Sequence, residues 1–518
     1  MSLFVLTAIV KIMKNLNLCT DPWLPVRMSS GACVRVSLEE FFSKAHEISD
    51  LILAAHERIS IMRLLICITQ RALDGPEDRE EWEDCKEDII PKTLIYLEKW
   101  RSAFDLLGED GAFLQVSGIS FSSGNWKGLS KLNLSSAEGN NHTVFDNAAT
   151  TERSVEVERL AIDLVTFQNF APCGIIGQVN WNGDTYPDSN TAPDAPCVVK
   201  SVVHMFYIGE NMLETIWLNL CTKEEANSVF ASFGKPVWEG MPNSRNDEDS
   251  IENAKETYLG RLVPLSRIVK IDYEGNRCLL AKGIEIPVCK VNELLYFEPF
   301  TTVVFKHDSD ERALVSADMS YDMWRHLPAL LHRFNDKGYT LGKLDSSDFP
   351  QHYGIWAGAL VSSKAKILDT MEDYYEHLSS QSVGAGVEIM HYKLMEYAKR
   401  GCNMCWNAVK KYRELLVENR RERQITDNEN SNTAIKQRLE REYWRLMTLH
   451  KEKFVNLVCL KMDTKEWECE LKRWLVVICD SSKETYEAFT QRDSVRRLAA
   501  WAQALSFLPN TRKLLKDE

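Results

Sequence analysis

The dipeptide His307-Asp308 is the first place where residue types in this sequence could do chemistry. Histidine and aspartate bind divalent metals, and a metal-dependent nuclease or phosphohydrolase would use this pair together with further His and Asp ligands. The pair stands directly before residues 309–312, whose sequence SDER is typical of a solvated turn. Metal-dependent hydrolysis and an exposed loop are therefore two alternatives at this position.

A second candidate is the C-x-x-C sequence formed by Cys402 and Cys405. A structural zinc site needs four ligands, and Cys459, Cys469 and Cys479 do not supply a second pair at ligand spacing. We interpret the two cysteines as small hydrophobic residues on one helical turn. The 14 cysteines show no regular spacing and no secretory signal precedes them, so we expect reduced thiols and a cytoplasmic location.

Three common catalytic motifs are absent from the sequence: the G-x-x-x-x-G-K-[ST] phosphate loop, the H-E-x-x-H zinc motif and the G-x-S-x-G nucleophile elbow. We therefore expect a protein that is not an enzyme, has no catalytic residues, and needs neither a cofactor nor a metal.

The charge balance argues against a protein that coats nucleic acid indiscriminately. The 518 residues include 75 Asp and Glu against 62 Lys and Arg, a net charge of −13. The excess is uneven, since residues 371–518 hold 26 basic against 23 acidic residues and residues 1–370 hold 36 against 52. The carboxy-terminal part is thus better suited to lie along phosphates, and the remainder would bind DNA only through local patches.

Residues 1–14 are predicted to be an extension from an early start site, or a disordered segment, with Met13 as the natural initiator. The run 1–13 is largely apolar but too short to span a bilayer. Lys11 and Lys14 follow the apolar part, whereas a signal peptide carries its basic residues before it. We expect no membrane segment and no membrane partner.

The elements that would position any site begin with Trp23, which Pro22 and Pro25 bracket. Each proline fixes its own φ and pushes the preceding residue into an extended conformation, so Trp23 is predicted to lie in the core at the corner of a strand. Ser37 and Glu40 form a capping box for a following helix.

A longer helix is predicted over about residues 56–73, where apolar residues repeat at helical spacing and Gly75-Pro76 supplies the stop. Short β-branched runs alternate with helices beyond it, at 202–208, 262–271 and 301–305. Long polar stretches rich in Gly, Ser, Asn, Asp and Pro interrupt this pattern and are predicted to be loops, at 121–143, 178–197 and 239–256.

The fold class expected from this pattern is α+β. A large mixed α/β amino-terminal domain would cover residues 15–370, and an all-α four-helix bundle would cover residues 371–518. The bundle prediction rests on several stripes of apolar residues at helical spacing after residue 386, with Pro509 ending the last helix.

Several short blocks appear in the same order as in a known family. They are NLCTDPWLPVR at 17–27, GENMLETIWLN at 209–219, KPVWE at 235–239, YLGRL at 258–262 and WRHLPALL at 324–331. Together they resemble the large subunit of the type I-E CRISPR Cascade surveillance complex, the CasA family. The resemblance runs from about residue 15 to about residue 370, with a helical tail behind it.

The resemblance implies a non-catalytic binding protein. It would recognise the protospacer-adjacent motif on double-stranded target DNA, promote local unwinding and R-loop formation, and help recruit the CRISPR helicase-nuclease. Its other partners would be the remaining Cascade subunits and the 5′ handle of the crRNA. The alternatives are the metal-dependent hydrolase described above and a helical scaffold subunit without DNA contact.

Three DNA-binding elements are implied by the resemblance. A glycine loop corresponds to residues 171–178, where Gly174 and Gly177 would let the backbone approach the minor groove. A wedge corresponds to the hairpin tip Ser363, Lys364 and Ala365, with Lys364 where the family often has glutamine.

The third element is a basic finger near residues 258–270, for which Arg267 is the first candidate, with Arg261 and Lys270 behind it. Phe145 and Asn147 would contact crRNA or a neighbouring subunit, and Phe145 could instead anchor its loop in the core.

Overall fold

The computed structural model divides into two compact units. One comprises Met1–Met319 and Arg333–Glu376, and the other comprises Ser320–His332 and His377–Glu518. The residues that the structure describes are 16–108, 111–120, 126–136, 146, 153–172, 175–187, 189–190, 198, 201–284, 298–301, 303–305, 312–331, 350–363, 366–379, 387–417 and 429–516.

The predicted domain boundary at 370/371 thus differs in two ways from the division between the units. The chain passes from one unit to the other at Glu376 and His377, and the segment Ser320–His332, predicted to belong to the first domain, is part of the helical unit.

The strands of the first unit are short, apart from one long hairpin. They are β1 Leu24–Met28, β2 Cys33–Val36, β3 Ile48–Leu51, β4 Ile119–Ser120, β5 Lys127–Gly128, β6 Ile175–Ile176, β7 Val179–Trp181, β8 Asp184–Tyr186, β9 Ser189–Asn190, β10 His204–Ile208, β11 Arg267–Asp272, β12 Arg277–Lys282, β13 Val303–Phe305, β14 Arg312–Leu314, β15 His352–Ser363 and β16 Lys366–Ser379, whose end enters the second unit.

These strands form several small sheets. Three of them matter for the site: β2-β1-β3, β10-β15-β16 and β11-β12-β5. In the second, His204 lies opposite Gly358 and Ile208 opposite Gly354, in an antiparallel register. In the third, Arg267 lies opposite Lys282 and Asp272 opposite Arg277.

The helices of the first unit are α1 Leu38–Ser43, α2 Ala55–Leu73, α3 Arg79–Asp84, α4 Ile89–Trp100, α5 Val157–Phe170, α6 Met212–Leu218, α7 Lys223–Asn227, α8 Glu248–Glu256 and α9 Tyr258–Leu262. The centre of the unit is α2, in which every residue from Ala55 to Gln70 is buried. Its core therefore lies all around one helix, so the charged residues of α2 must find partners inside the protein.

The predictions for Trp23, for the capping box and for the longer helix are confirmed, whereas residues 1–14 lie outside the described part of the chain. Trp23 is fully buried, and its indole N–H donates to the carbonyl of Leu18 at 3.0 Å. Ser37 and Glu40 form the predicted capping box at the start of α1. Helix α2 ends at Leu73, where Asp74 takes a left-handed conformation before Gly75.

All three predicted loops contain regular structure, and the stretch 121–143 includes β5. The stretch 178–197 includes the β7-β8 hairpin, whose turn is Asn182-Gly183 with φ of 51° and 96°. Asn-Gly is the residue pair that two-residue hairpins favour, so this signal was present in the sequence. The stretch 239–256 includes α8, which begins after Asp247 because the Asp247 side chain accepts from the backbone N–H of Ser250.

The second unit is helical in the part that the structure describes, apart from the end of β16. Its helices are α10 Leu327–Leu331, α11 Val387–Leu415, α12 Glu429–Thr448, α13 Lys451–Cys459, α14 Lys465–Ala488, α15 Val495–Ala504 and α16 Thr511–Leu514. Three of them are long, with 29, 20 and 24 residues, and the others are short. This arrangement is less regular than four helices of similar length.

The C-x-x-C pair lies on α11, as predicted, with both side chains buried. Burial raises the pKa of Cys402 to about 12 and also raises the pKa of Cys405. The Cys405 thiol donates to the carbonyl of Ser482 at 3.2 Å. Both thiols therefore pack as neutral, small side chains.

Candidate nucleic-acid interface

The predicted glycine loop begins where α5 ends. Helix α5 stops at Phe170, because Pro172 cannot continue the hydrogen-bond pattern and forces Ala171 out of the helical region. Strand β6 follows and pairs with β9, and Gly177 lies half-buried directly after β6. Gly174 lies outside the described residues.

Arg267 does not have the position expected of a basic finger. It opens β11 and is only 1% exposed. Its guanidinium donates to the carbonyl of Ser266 at 2.7 Å and to the carbonyl of Pro172 at 3.2 Å. The prediction that Arg267 reaches into a DNA groove is therefore corrected: the side chain supports the glycine loop from inside.

The backbone beside Arg267 is tied to the end of α5 by one amide. Gln168 accepts from the N–H of Arg267 at 3.0 Å and donates to the carbonyl of Arg267 at 2.9 Å. It also donates to the carbonyl of Leu114 at 3.3 Å, and the Ser266 hydroxyl donates to the Gln168 carbonyl. The element predicted as a finger is thus joined to the glycine loop by hydrogen bonds.

Arg261 is likewise a buried structural residue. Its guanidinium pairs with Glu298, whose other carboxylate oxygen accepts from Arg63 at 2.5 Å. All three side chains are 0% or 1% exposed. Arg63 also donates to the carbonyl oxygens of Leu262, at 2.9 Å, and Arg261. Helix α9 is therefore fixed to the central helix α2, and the finger prediction for Arg261 is corrected too.

The electrostatics of this triad follow from its burial. Burial acts to raise the pKa of the Glu298 carboxyl, but Arg261 and Arg63 together hold it below its ordinary value. Burial lowers the pKa of Arg63, and Glu298 opposes that change. The carboxylate therefore stays ionised, and it is the charge that balances two arginines removed from water.

Exposed basic residues do occur on the same small sheet. Lys270 in β11 and Lys127 in β5 are exposed. Arg277 in β12 is exposed as well, lies 4.2 Å from the ring centre of Trp126 and donates to Asp272 at 2.7 Å. Among the three residues named for the basic finger, Lys270 is thus exposed to solvent, whereas Arg261 and Arg267 are buried.

The predicted wedge lies in a hairpin, as expected. Strand β15 ends at Ser363 and β16 begins at Lys366, so Lys364 and Ala365 connect them; these two residues lie outside the described part of the chain. Near the tip, Ser362 donates its N–H to the hydroxyl of Ser201 at 3.0 Å, and that hydroxyl donates to the carbonyl of Ser362 at 3.2 Å.

Arg58 of the central helix holds the two strands of this hairpin. Its guanidinium carbon lies 5.4 Å from the ring centre of Trp356 in β15 and 5.5 Å from that of Tyr374 in β16. It donates to Asp50 at 2.7 Å and to the carbonyl of Leu51 at 2.8 Å. Burial acts to lower the pKa of Arg58, but the hydrogen bond and the charge of Asp50 outweigh this effect, and the pKa is raised.

A second buried charge joins α5 to the same centre. Asp163 is 2% exposed, accepts from Asn133 at 3.1 Å and lies 2.8 Å from the Nε of Arg159. Arg159 also pairs with Glu57 of α2. Burial raises the pKa of Asp163 to about 6, with Arg159 opposing the shift.

Two of the predicted elements, the glycine loop and β11, meet at the carboxy-terminal end of α5, and the strand that pairs with β15 lies beside it. The glycine loop leaves from it, β11 is bonded to Gln168, and the ring of Phe170 lies 6.3 Å from that of His204 in β10, the strand paired with β15. The carbonyl of Asn169 accepts from the N–H of Val198 at 2.7 Å. Sequence blocks far apart in the chain are thus brought to one place.

Several predicted residues cannot be placed. Phe145, Asn147, His307 and Asp308 lie outside the described residues, together with Gly174, Lys364 and Ala365. Between the first two, Asp146 is described and pairs with Arg153 at 2.7 Å.

The supporting residues Gln168, Ser201 and Arg58 were not found by sequence reasoning. Only Arg58 left a signal, since it is a charged residue in a helix that is apolar on most faces.

Within the described residues, no group of three or more His, Cys, Asp and Glu could hold a metal ion. The same part of the chain contains no helix that is both long enough and apolar enough to cross a membrane.

Comparisons with known proteins agree with this architecture. The family model described as CRISPR-associated protein Cse1 matches residues 17–477. The curated CRISPR-associated protein CasA/Cse1 of Thermus thermophilus is 28% identical over 394 residues, which are 70% of this chain and 71% of the relative. The fold and the match together define a CRISPR-associated protein.

Two solved structures illustrate the likeness in fold. The crystal structure of Thermus thermophilus CasA has a TM-score of 0.72 at 21% identity and covers 97% of this chain and 99% of its own. A chain of a CRISPR RNA-guided surveillance complex has a TM-score of 0.68 at 14% identity, with coverage of 97% and 100%. The chain belongs to the Cse1 family and is a large subunit of the type I-E Cascade class.

Proposed function

We propose that this chain, assembled with other Cascade subunits and crRNA, recognises the protospacer-adjacent motif on duplex DNA and opens the duplex beside it. R-loop formation would start there, and the helicase-nuclease would be recruited to the opened target. The observation that carries the proposal is that the glycine loop and β11 meet at the end of α5 through Gln168, while Phe170 lies beside His204 of β10, the strand that pairs with β15 of the hairpin.

The role of each element follows from its chemistry. A glycine-containing loop lets the backbone come close to the floor of the minor groove, where a side chain would clash. A hairpin tip inserted beside the motif displaces the first base pair at an unstacking cost of about a few kcal/mol. Lys364 at that tip would contact a phosphate or a base acceptor.

Lys270 replaces the two buried arginines in the role of the basic finger. It is exposed on the strand whose first residue, Arg267, supports the glycine loop. A cation at this position contacts phosphate or a groove acceptor without any change in the core.

Contact with the guide RNA is proposed for Phe145 and Asn147. The surveillance complex with the similar chain is RNA-guided, and the likeness between that chain and this one supports a place beside a guide RNA. An aromatic ring beside an amide could stack on an unpaired base and hydrogen-bond to it.

The test uses the reconstituted Cascade complex with duplexes that carry an intact or a scrambled motif. Gly177→Asp should abolish the preference for the intact motif in a gel shift, since it adds a side chain and a negative charge at the groove. Lys364→Ala should leave the first encounter in place and slow strand opening, measured by permanganate reactivity of the displaced thymines.

Lys270→Ala should weaken binding to both duplexes alike and lower the slope of log affinity against log salt by about one. Lys92→Ala, which removes an exposed lysine of α4, is the matched control and should change neither quantity. Motif preference that survives Gly177→Asp, together with unchanged strand opening in Lys364→Ala, would show that the elements are wrongly assigned. If a complex that lacks this chain still distinguished fully between the intact and the scrambled motif, the proposed function would be overturned.

A further inference from the structure

A polar cleft of about 610 Å³ lies within the helical unit and includes none of the residues assigned to the nucleic-acid interface. It opens between the segment Ser320–His332 and the helices α11 and α12. Its lining residues are Ser320, Tyr321, Arg325, Lys399, Cys402, Asn403, Gln437, Glu440, Arg441 and Trp444.

Arg325 is the most unusual side chain of this cleft. Its guanidinium carbon lies 3.5 Å from the ring centre of Tyr321 and 3.5 Å from that of Trp444. Both faces of the guanidinium are therefore covered by aromatic rings, so only its edge, which carries the N–H donors, can meet a ligand. This is the geometry in which arginine binds a planar or tetrahedral oxyanion with two parallel hydrogen bonds.

The backbone around Arg325 is held rigidly. Trp324, the residue before it, is fully buried, and its indole N–H donates to the hydroxyl of Thr448 at 3.0 Å. That hydroxyl donates in turn to the carboxylate of Asp322 at 2.7 Å. The segment is thus fixed to the end of α12 by the two residues Asp322 and Trp324, which stand just before Arg325 and help to preorganise its donors.

The charges that line the cleft are mainly positive. Arg325, Lys399 and Arg441 face one carboxylate, Glu440, which lies 3.7 Å from Lys436. Among the described residues, none of the ion pairs includes Arg325, and its buried Nε has no hydrogen-bond partner. Arg325 is only half-buried, and although Tyr321 and Asp322 favour its charge, burial still lowers the pKa of its guanidinium. A partly buried cation of this kind gains from a bound anion.

We propose that this cleft is a binding site for a phosphate group carried by a nucleotide, either free or at the end of a single strand. The volume lies within the range of about 300–1,000 Å³ that is usual for small-molecule sites. Phosphate is the oxyanion with enough acceptors to engage the edge of Arg325 and the two neighbouring cations at once. Asn403 and Gln437 supply polar side chains for the sugar or the base.

Isothermal titration of the full-length chain with AMP, pyrophosphate and adenosine tests the proposal. AMP and pyrophosphate should bind, more weakly as salt rises, and adenosine should bind at least about tenfold more weakly than AMP because it lacks the phosphate. A 5′-phosphorylated trinucleotide compared with its unphosphorylated form distinguishes a strand end from a free nucleotide, and preferential binding of either phosphorylated ligand supports the site.

The variant Arg325→Lys keeps the charge but removes the two-pronged donor edge, and it should weaken AMP by about tenfold. Because this change could disturb the packing of Trp444, the exposed double variant with Lys399→Gln and Arg441→Gln provides a second test, with an expected loss of similar size. Lys472→Gln, an exposed lysine of α14 outside the lining, is the control. No heat of binding from AMP or pyrophosphate at millimolar concentration, or equal AMP affinity in the wild type and the double variant, would overturn the proposal.

Discussion

Replacing one buried carboxylate tests how the first unit is held together. Glu298 is the only acid in its triad with Arg63 and Arg261, and all three side chains are removed from water. In Glu298→Gln the shape is kept but the charge is lost, so two buried guanidinium groups lose the carboxylate that pairs with both of them. Breaking a buried ion pair in this way costs about 3–5 kcal/mol, a large part of the roughly 5–15 kcal/mol that stabilises a domain.

The measurement is urea denaturation of the full chain, followed by tryptophan fluorescence and circular dichroism. The two units can unfold in separate transitions, so the transition of the first unit must be identified. Its midpoint is expected to move to a lower urea concentration in Glu298→Gln. Glu156→Gln is a matched control, since Glu156 pairs with Arg35 at 2.9 Å while both side chains are largely exposed. An exposed pair contributes about 0–1 kcal/mol. Equal effects of the two substitutions would refute the reasoning.

Three further predictions concern the supports of the interface. Because burial raises the pKa of Asp163 to about 6, keeping this carboxylate ionised lowers the free energy of unfolding by roughly 3 kcal/mol at neutral pH. Asp163→Asn should therefore gain stability relative to the wild type as the pH rises from 4 to 7. A difference in thermal midpoint that stays constant across this range would contradict the prediction. Arg58→Lys should increase hydrogen exchange in β15 and β16 at least about tenfold, because without the hydrogen bonds to Asp50 and Leu51 the cation is no longer held against Trp356 and Tyr374. Unchanged protection would argue against a role of Arg58 in holding the two strands. Ser201→Ala removes the hydroxyl that bonds to the backbone of Ser362, so it should lower the free energy of unfolding by about 1–3 kcal/mol. Hydrogen exchange should rise near the hairpin tip, and exchange in β11 is the internal reference.

The local elements of this fold could be predicted because their causes lie within a few residues of sequence. The capping residues Ser37 and Glu40 are three positions apart, and the apolar stripe of α2 repeats every three or four residues. The β7-β8 hairpin could also have been predicted, from Asn182-Gly183.

The distinction between a buried and an exposed arginine could not be made in the same way. Arg63 and Glu298 meet across 235 residues, and Arg267 meets Pro172 across 95. Nothing near Arg267 in the sequence indicates that its guanidinium is enclosed by a loop from elsewhere in the chain. Local sequence predicts which segments take part in the candidate interface, whereas tertiary contacts decide which side chains face outwards.

Gln168 also makes the first unit vulnerable to a single nucleotide change in its gene. A glutamine codon becomes a glutamate codon by one base substitution, and the two side chains have nearly the same shape. The amide of Gln168 donates to two carbonyl oxygens and accepts one N–H. An ionised glutamate would place a negative oxygen against those carbonyls, and a protonated one would supply a single donor for two acceptors. Genetic drift at this position is therefore restricted by hydrogen-bond count rather than by size.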